Sequence, residues 1–215
     1  MKLPPEGAIW LVRLRWFVAL CVFAATILGY YVFHVLATPV PLILIGVFML
    51  LYNGMLSPIV REDSPIRGLR PEDSIFAQII LDFAALTLVL YFSDFSHNPF
   101  ILYYIFHMII AGMYLRGIRP YIVAGGTTLI IGIIIFAEYL GWLPRFPLHF
   151  GGQALPPLHG LQALALFLAM ASSLGMAAYF TTSIRRYVDR AHAELRQKEK
   201  MLGIGQLVAG IAHQI

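Results

Sequence analysis

The sequence predicts an all-α membrane protein: a six-helix transmembrane bundle followed by a cytoplasmic coiled-coil or dimerisation helix. Hydrophobic residues make up 60% of the 215 residues, more than in soluble domains, and charged residues only 12%. The apolar residues form long continuous runs, which favour transmembrane helices over the alternating strands of a barrel. The net charge of +4 does not indicate a nucleic-acid partner, because no basic patch accompanies a soluble domain.

Six apolar runs are long enough, or nearly so, to cross a hydrocarbon core of about 30 Å. They cover residues 14–36, 40–56, 74–92, 100–115, 121–142 and 160–182. The second and fourth runs are short, so we expect slight helix extension or local bilayer thinning there. The first run is longer than the apolar part of a signal peptide, so we expect it to be retained. Residues 1–182 are therefore predicted to form one six-span domain.

The distribution of basic residues predicts the orientation. Every Lys and Arg except Arg145 lies before the first run or, like Arg15, at its very start, between the second and third, between the fourth and fifth, or after the sixth. Lys and Arg are enriched in cytoplasmic loops. We therefore expect a multi-pass protein with both termini in the cytoplasm.

The composition changes after Thr182, where residues 183–200 predict a cytoplasmic signalling helix. Apolar positions recur there at spacings of four and three, which favours a parallel coiled-coil homodimer. A single solvated helix is the alternative. The predicted seam contains Ile184, Val188, Ala191, Leu195, Lys198 and Leu202.

The last segment, residues 201–215, predicts a second amphipathic stretch, with His213 on the face opposite the apolar stripe. The small residues Ala209 and Gly210 precede His213, and helical side chains lean toward the N-terminus. An exposed imidazole with little bulk around it suits the transfer of a large group to its nitrogen. The stripe contains Ile204, Leu207, Val208, Ile211 and Ile215.

Residues 205–213, Gly-Gln-Leu-Val-Ala-Gly-Ile-Ala-His, resemble the phosphoacceptor box of bacterial sensor histidine kinases. The resemblance implies that His213 receives a phosphoryl group from ATP and passes it to an aspartate on a response regulator. The family usually has an acid after the histidine, where this chain has Gln214. Residues 201–215 would begin the dimerisation and phosphotransfer domain of a homodimer in the inner membrane. The ATP-binding domain is expected to follow, so the chain as given should be inactive alone.

The membrane part is similar to the RegB/PrrB-type redox sensor kinases, which have six spans and a quinone-binding loop ending in Asn-Pro-Phe. The matching features are the loop over residues 93–100, two polar residues in the third run and the start of the first run. The resemblance implies ubiquinone or another membrane quinone as the ligand. Its candidate residues are Asn98, Pro99, Phe100, Asp82, His107 and Gln78.

The Asn-Pro-Phe triplet also has a purely structural interpretation. Asn98 is a good N-cap, and Pro99 is favoured at the first position of a helix. Both interpretations can hold together, because a helix start can also present backbone N–H groups to a ligand.

Asp82 and His107 are predicted to lie at similar depth in neighbouring antiparallel helices. A lone carboxylate in the bilayer is costly, so we expect the two to pair, with Gln78 as a second partner. The pair would either tie two helices together or handle the proton that accompanies quinone reduction.

Two other functions remain open. The kinase could respond to bilayer thickness or lipid state, or the chain could be a small transporter, although no internal repeat is evident. No metal site is expected, because His149 and His159 lack a third ligand at suitable spacing.

Overall fold

The computed structural model describes the backbone of residues 5–61 and 71–212, and the side chains of residues 10–55, 73 and 75–202. The described chain is mostly helical, as predicted; one small hairpin, which was not predicted, lies between the last two helices. The elements in chain order are α1 (Pro5–Ile27), a π-helical turn (Leu28–Val32), α2 (Val40–Arg61), α3 (Pro71–Tyr91), a 3₁₀ turn (Pro99–Leu102), α4 (Tyr103–Tyr114), α5 (Arg119–Tyr139), β1 (His149–Phe150), β2 (Gln153–Ala154) and α6 (Gly160–Ala212).

Three helical segments are long and apolar enough to span a membrane: Trp10–Val32, Arg119–Tyr139 and Gly160–Leu202. Three shorter apolar segments cover Val40–Met55, Ile75–Tyr91 and Pro99–Tyr114. The described residues thus give three candidate spans where six were predicted. The fourth predicted span is short because its first turn is 3₁₀ and its α-helix has only 12 residues. These features are those of a membrane protein.

The helices pack around two cores. The larger core joins α3, α4, α5 and α6, and the smaller one joins α1, α2 and α3. The helices α4 and α6 approach closely at Gly112, where an added Cβ would lie 2.8 Å from the Cβ of Thr181. Many large apolar side chains point outward instead, including Leu161 (83% exposed) and Leu129 (64% exposed). An apolar exterior of this kind suits contact with lipid.

The longest element, α6, runs for 53 residues without a break. At 1.5 Å per residue it is about 80 Å long, well beyond the thickness of a bilayer. Its first half packs on α4 and α5, and its side chains from Arg186 to Leu202 are exposed except for half-buried Ala191. The predicted seam lies on this uncovered part, and its pairing with a second chain stays a prediction.

The loop between α5 and α6 contains the hairpin, which is antiparallel, with His149 opposite Ala154. Its turn uses Gly151 and Gly152, with φ of +59° and +80°. Two successive left-handed residues define the type I′ turn that two-residue hairpins prefer, and glycine adopts it without strain. The His149 N–H also donates to the Val35 carbonyl, which attaches the hairpin to the α1–α2 loop.

Candidate functional site

A polar cluster joins α1, α2 and α3 inside the bundle. The Arg15 guanidinium contacts the Asp82 carboxylate side-on, with Nε 2.8 Å from Oδ1 and Nη2 2.8 Å from Oδ2. Arg15 Nη1 donates to Gln78 Oε1 at 2.8 Å, and the Tyr52 hydroxyl donates to Asp82 Oδ1 at 2.7 Å. The two charges are therefore neutralised by a bidentate pair, and both neighbouring polar groups contribute hydrogen bonds.

The helix bounds explain this pairing. Arg15 follows Pro5, the start of α1, by ten residues, and Asp82 follows Pro71, the start of α3, by eleven. At 1.5 Å per residue both lie about 15 Å along their helices. Arg15 is only 4% exposed, so its charge requires a buried partner.

The predicted pair of Asp82 with His107 is wrong. The His107 ring lies against Phe83, with centroids 5.6 Å apart, and its Nδ1 is 2.9 Å from the Tyr103 carbonyl oxygen. Successive residues of a helix point about 100° apart, so Asp82 faces α1 and α2 while Phe83 faces α4. Gln78 does belong to the Asp82 cluster, as predicted, but it bonds to Arg15.

Sequence reasoning missed Arg15 and Tyr52 as members of this cluster. Arg15 was assigned to the cytoplasmic flank of the first span, although α1 begins ten residues earlier. The available signal was Asp82 itself, because an intramembrane carboxylate calls for a cation in another span at similar depth.

The Asn-Pro-Phe triplet begins a helix, which confirms the structural interpretation. Asn98 is extended (φ −74°, ψ 119°), its Oδ1 accepts from the Phe100 N–H at 2.9 Å, and Pro99 is the first residue of the 3₁₀ turn. Asn98 Nδ2 donates to the Ser93 carbonyl and hydroxyl oxygens, at 2.9 and 2.7 Å. The Asn98 amide is therefore engaged within its own loop.

The exterior of the 3₁₀ turn and α4 carries a strip of aromatic side chains. Phe100, Tyr103 and Phe106 are 49%, 48% and 60% exposed, and neighbouring ring centroids are 5.3 and 5.9 Å apart. His107 lies beside the strip and is half-buried. Since a carbonyl oxygen can only accept, the contact with Tyr103 makes His107 Nδ1 the donor, which leaves Nε2 as an acceptor in the neutral imidazole. The strip thus combines flat rings with two polar groups, the Tyr103 hydroxyl and His107 Nε2.

A second polar cluster, which sequence reasoning did not predict, closes the loop between α3 and α4. Asp94 has a left-handed backbone (φ +63°) and a fully buried carboxylate. Its Oδ1 lies 3.2 Å from Arg145 Nη2 and 3.1 Å from His97 Nδ1, and its Oδ2 accepts from the Leu148 N–H. These contacts fix the α3–α4 loop against the segment that follows α5.

The two residues of the predicted phosphoacceptor site, His213 and Gln214, lie outside the described residues. The backbone leading to them is helical as far as Ala212. Within the described part of the chain, no group of three or more His, Cys, Asp or Glu side chains could hold a metal ion.

Comparison with known proteins adds no further assignment: no family model, curated protein or solved structure matches the chain.

Proposed function

We propose that this chain is the membrane sensor and signalling helix of a bacterial two-component histidine kinase. It would lie in the inner membrane with six spans and both termini in the cytoplasm. It would act as a homodimer in which His213 accepts phosphate from ATP and passes it to a response regulator.

The observation that carries this proposal is the continuity of α6. The helix begins at Gly160 beside α5, packs on α4 and α5, is uncovered from Arg186 to Leu202, and keeps a helical backbone to Ala212, one residue before His213. A continuous helix can transmit a shift or rotation made among the packed spans to residues far from them. The nine-residue resemblance around His213 supports phosphotransfer as the output.

The proposed stimulus is the redox state of a membrane quinone such as ubiquinone. The aromatic strip of Phe100, Tyr103 and Phe106 offers ring faces on which a flat quinone head could stack. His107 Nε2 could accept a hydrogen bond from a quinol hydroxyl. Asp82 plays no part in this version of the site, because its carboxylate is held by Arg15 and Tyr52.

Phosphorylation of the intact kinase, which includes its ATP-binding domain, tests the output. Incubation with radiolabelled ATP should give acid-labile phosphate in the wild type and none in His213→Gln. The matched control is His192→Gln, because His192 is exposed on the same helix and should be dispensable. Equal labelling of the two variants would refute the phosphoacceptor role.

Quinone titration of the protein in lipid nanodiscs tests the stimulus. Saturable binding should weaken in Phe106→Ala and His107→Leu, and persist in Phe17→Ala, whose ring is 64% exposed on α1. Equal binding by all variants would exclude the aromatic strip as the quinone site.

The length of α4 favours a second candidate stimulus, the thickness of the bilayer. With its 3₁₀ turn, α4 is about 26 Å long, slightly less than the hydrocarbon core. Such a helix is sensitive to mismatch. Phosphorylation that changes with lipid acyl length but not with quinone would favour this stimulus.

A further inference from the structure

Glu138 is a buried acid that lacks a full set of partners and lies at the C-terminal end of α5, which faces outward in the proposed orientation. The residue is only 6% exposed. Oε2 accepts a hydrogen bond from the Ser96 hydroxyl at 2.7 Å, whereas Oε1 is buried with no hydrogen-bond partner among the described residues. Leaving one oxygen of a buried carboxylate unpaired is costly.

The charges around Glu138 relieve this cost only in part. Arg145 lines the same pocket, but its Nη2 contacts Asp94 and His97, and no ion pair among the described residues reaches Glu138. Asp94 adds a second negative charge on the same side. Tyr91 of α3 is also within electrostatic range, and its hydroxyl donates to the Pro144 carbonyl.

A pocket of about 10 Å³, partly open to solvent, adjoins this acid. Pro157 and Leu158, just before α6, line one side, and Ser96, Arg145 and residues of α5 line the rest. The pocket is about the size of one water molecule, which can carry a proton to Glu138. A proton on Oε1 would remove the buried charge and leave Oε2 as a carbonyl oxygen that still accepts from Ser96.

The position of Glu138 connects this event to α6. The next residue, Tyr139, has its hydroxyl 3.0 Å from the point where a Cβ on Gly160 would lie, at the start of α6. The hydrogen bond to Ser96 links Glu138 to the loop that is closed by Asp94. We propose that Glu138 is a proton-binding site open to the outer side, whose occupancy alters the contact between α5 and the start of α6.

Infrared difference spectroscopy of the chain in nanodiscs tests proton binding. Acidification from about pH 8 to about pH 4 should produce a carboxyl carbonyl band at the high frequency of a dry site. The band should be absent in Glu138→Gln and present in Glu194→Gln, whose acid is exposed on α6. A band of full intensity in Glu138→Gln, or no such band in the wild type, would overturn the proposal.

A second variant retains the acid, so it tests the proposal even if Glu138→Gln does not fold. Ser96→Ala should keep the band but raise its frequency, because the carbonyl loses its only hydrogen bond. An unchanged frequency would contradict the proposal that the protonated Glu138 accepts a hydrogen bond from Ser96.

Trp142 fluorescence, measured in a Trp10→Phe/Trp16→Phe background, tests the effect on neighbouring structure, since Trp142 lies in the turn after α5, four residues beyond Glu138, and is 78% exposed. Its pH transition should follow the infrared band and disappear in Glu138→Gln. If the fluorescence does not change with pH over the range in which the infrared band appears, protonation of Glu138 leaves the neighbouring structure unaltered. Neither readout requires ATP or kinase activity.

Discussion

Arg15 and Asp82 form a bidentate ion pair across α1 and α3, with the guanidinium Nη2 2.8 Å from Oδ2 and the two side chains 5% and 16% exposed. The pair connects the N-terminal helix to the larger core of α3–α6, which α1 otherwise reaches through few apolar contacts. It is therefore expected to determine how firmly α1 and α2 attach to the rest of the bundle.

Replacing Asp82 by Asn should destabilise the protein by about 3–5 kcal/mol, because it leaves the buried Arg15 charge without a counterion. Denaturant-induced unfolding in detergent micelles measures the loss. The double variant Arg15→Met/Asp82→Leu should lose less, since it removes both charges.

The matched control is Asp73→Asn, which breaks an ion pair with Arg119 at a similar distance of 2.7 Å. Those side chains are 38% and 36% exposed, so the loss should stay within about 1 kcal/mol. Equal losses at Asp82 and Asp73 would show that the Arg15 pair is not a buried anchor.

Tyr52→Phe should reduce stability by about 1–3 kcal/mol, because Asp82 loses one charge-assisted hydrogen bond at the same side-chain volume. The same unfolding assay applies, with Tyr179→Phe as control, since that ring is 59% exposed on α6. No difference between the two variants would mean that the Tyr52 hydroxyl contributes nothing to the cluster.

Gly112→Leu should separate α4 from α6, because an added Cβ would lie 2.8 Å from the Thr181 side chain. Lower thermal stability in nanodiscs is expected, together with faster proteolysis. Gly125→Leu is the control, since nothing lies within 4 Å of a Cβ at that glycine. The close α4–α6 packing would be refuted if the Gly112 variant matched the Gly125 variant.

Two copies of α6 should pair through the seam that begins at Ile184. In a Cys21→Ser background, which removes an exposed free thiol, a cysteine at Ala191 should crosslink to its mate faster than one at Asp189. Asp189 is exposed and Ala191 half-buried, so oxidant access alone would favour Asp189, and faster crosslinking at Ala191 requires proximity to the mate. Equal crosslinking rates would argue against this seam.

The helices could be predicted from the sequence because each apolar run carries its own signal. The start of the 3₁₀ turn at Asn98 and Pro99 could also be predicted, since helix capping depends on residues adjacent in the sequence. The bound that failed was the start of the first span, because Arg13 and Arg15 were taken to mark its cytoplasmic flank, whereas α1 begins at Pro5 and continues through both.

The polar partners could not be predicted, because they depend on which helix faces meet. Asp82 pairs with a residue 67 positions away, and Asp94 with one 51 positions away. Local spacing carries no information about such pairs. The Asp82–His107 prediction compared the depth of the two residues in the bilayer but not the direction of their side chains. Phe83 points toward His107, and Asp82 points toward α1 and α2.

Replacing Gln214 by Glu in the proposed full-length kinase should raise the rate of autophosphorylation, because a carboxylate can take the proton that the imidazole releases and an amide cannot. Initial rates with radiolabelled ATP measure the change. Glu199→Gln, at an exposed acid on α6, should leave the rate unchanged. A rate that does not rise in Gln214→Glu would show that proton removal is not limiting.

The most direct test of the central claim is to locate the phosphate. The intact kinase is incubated with ATP, digested under alkaline conditions that preserve phosphohistidine, and analysed by electron-transfer mass spectrometry. We expect phosphate on His213, in the peptide that continues from α6. Phosphate on another residue, or none on His213 while the protein is labelled, would contradict the proposal that this chain is the sensor part of a histidine kinase.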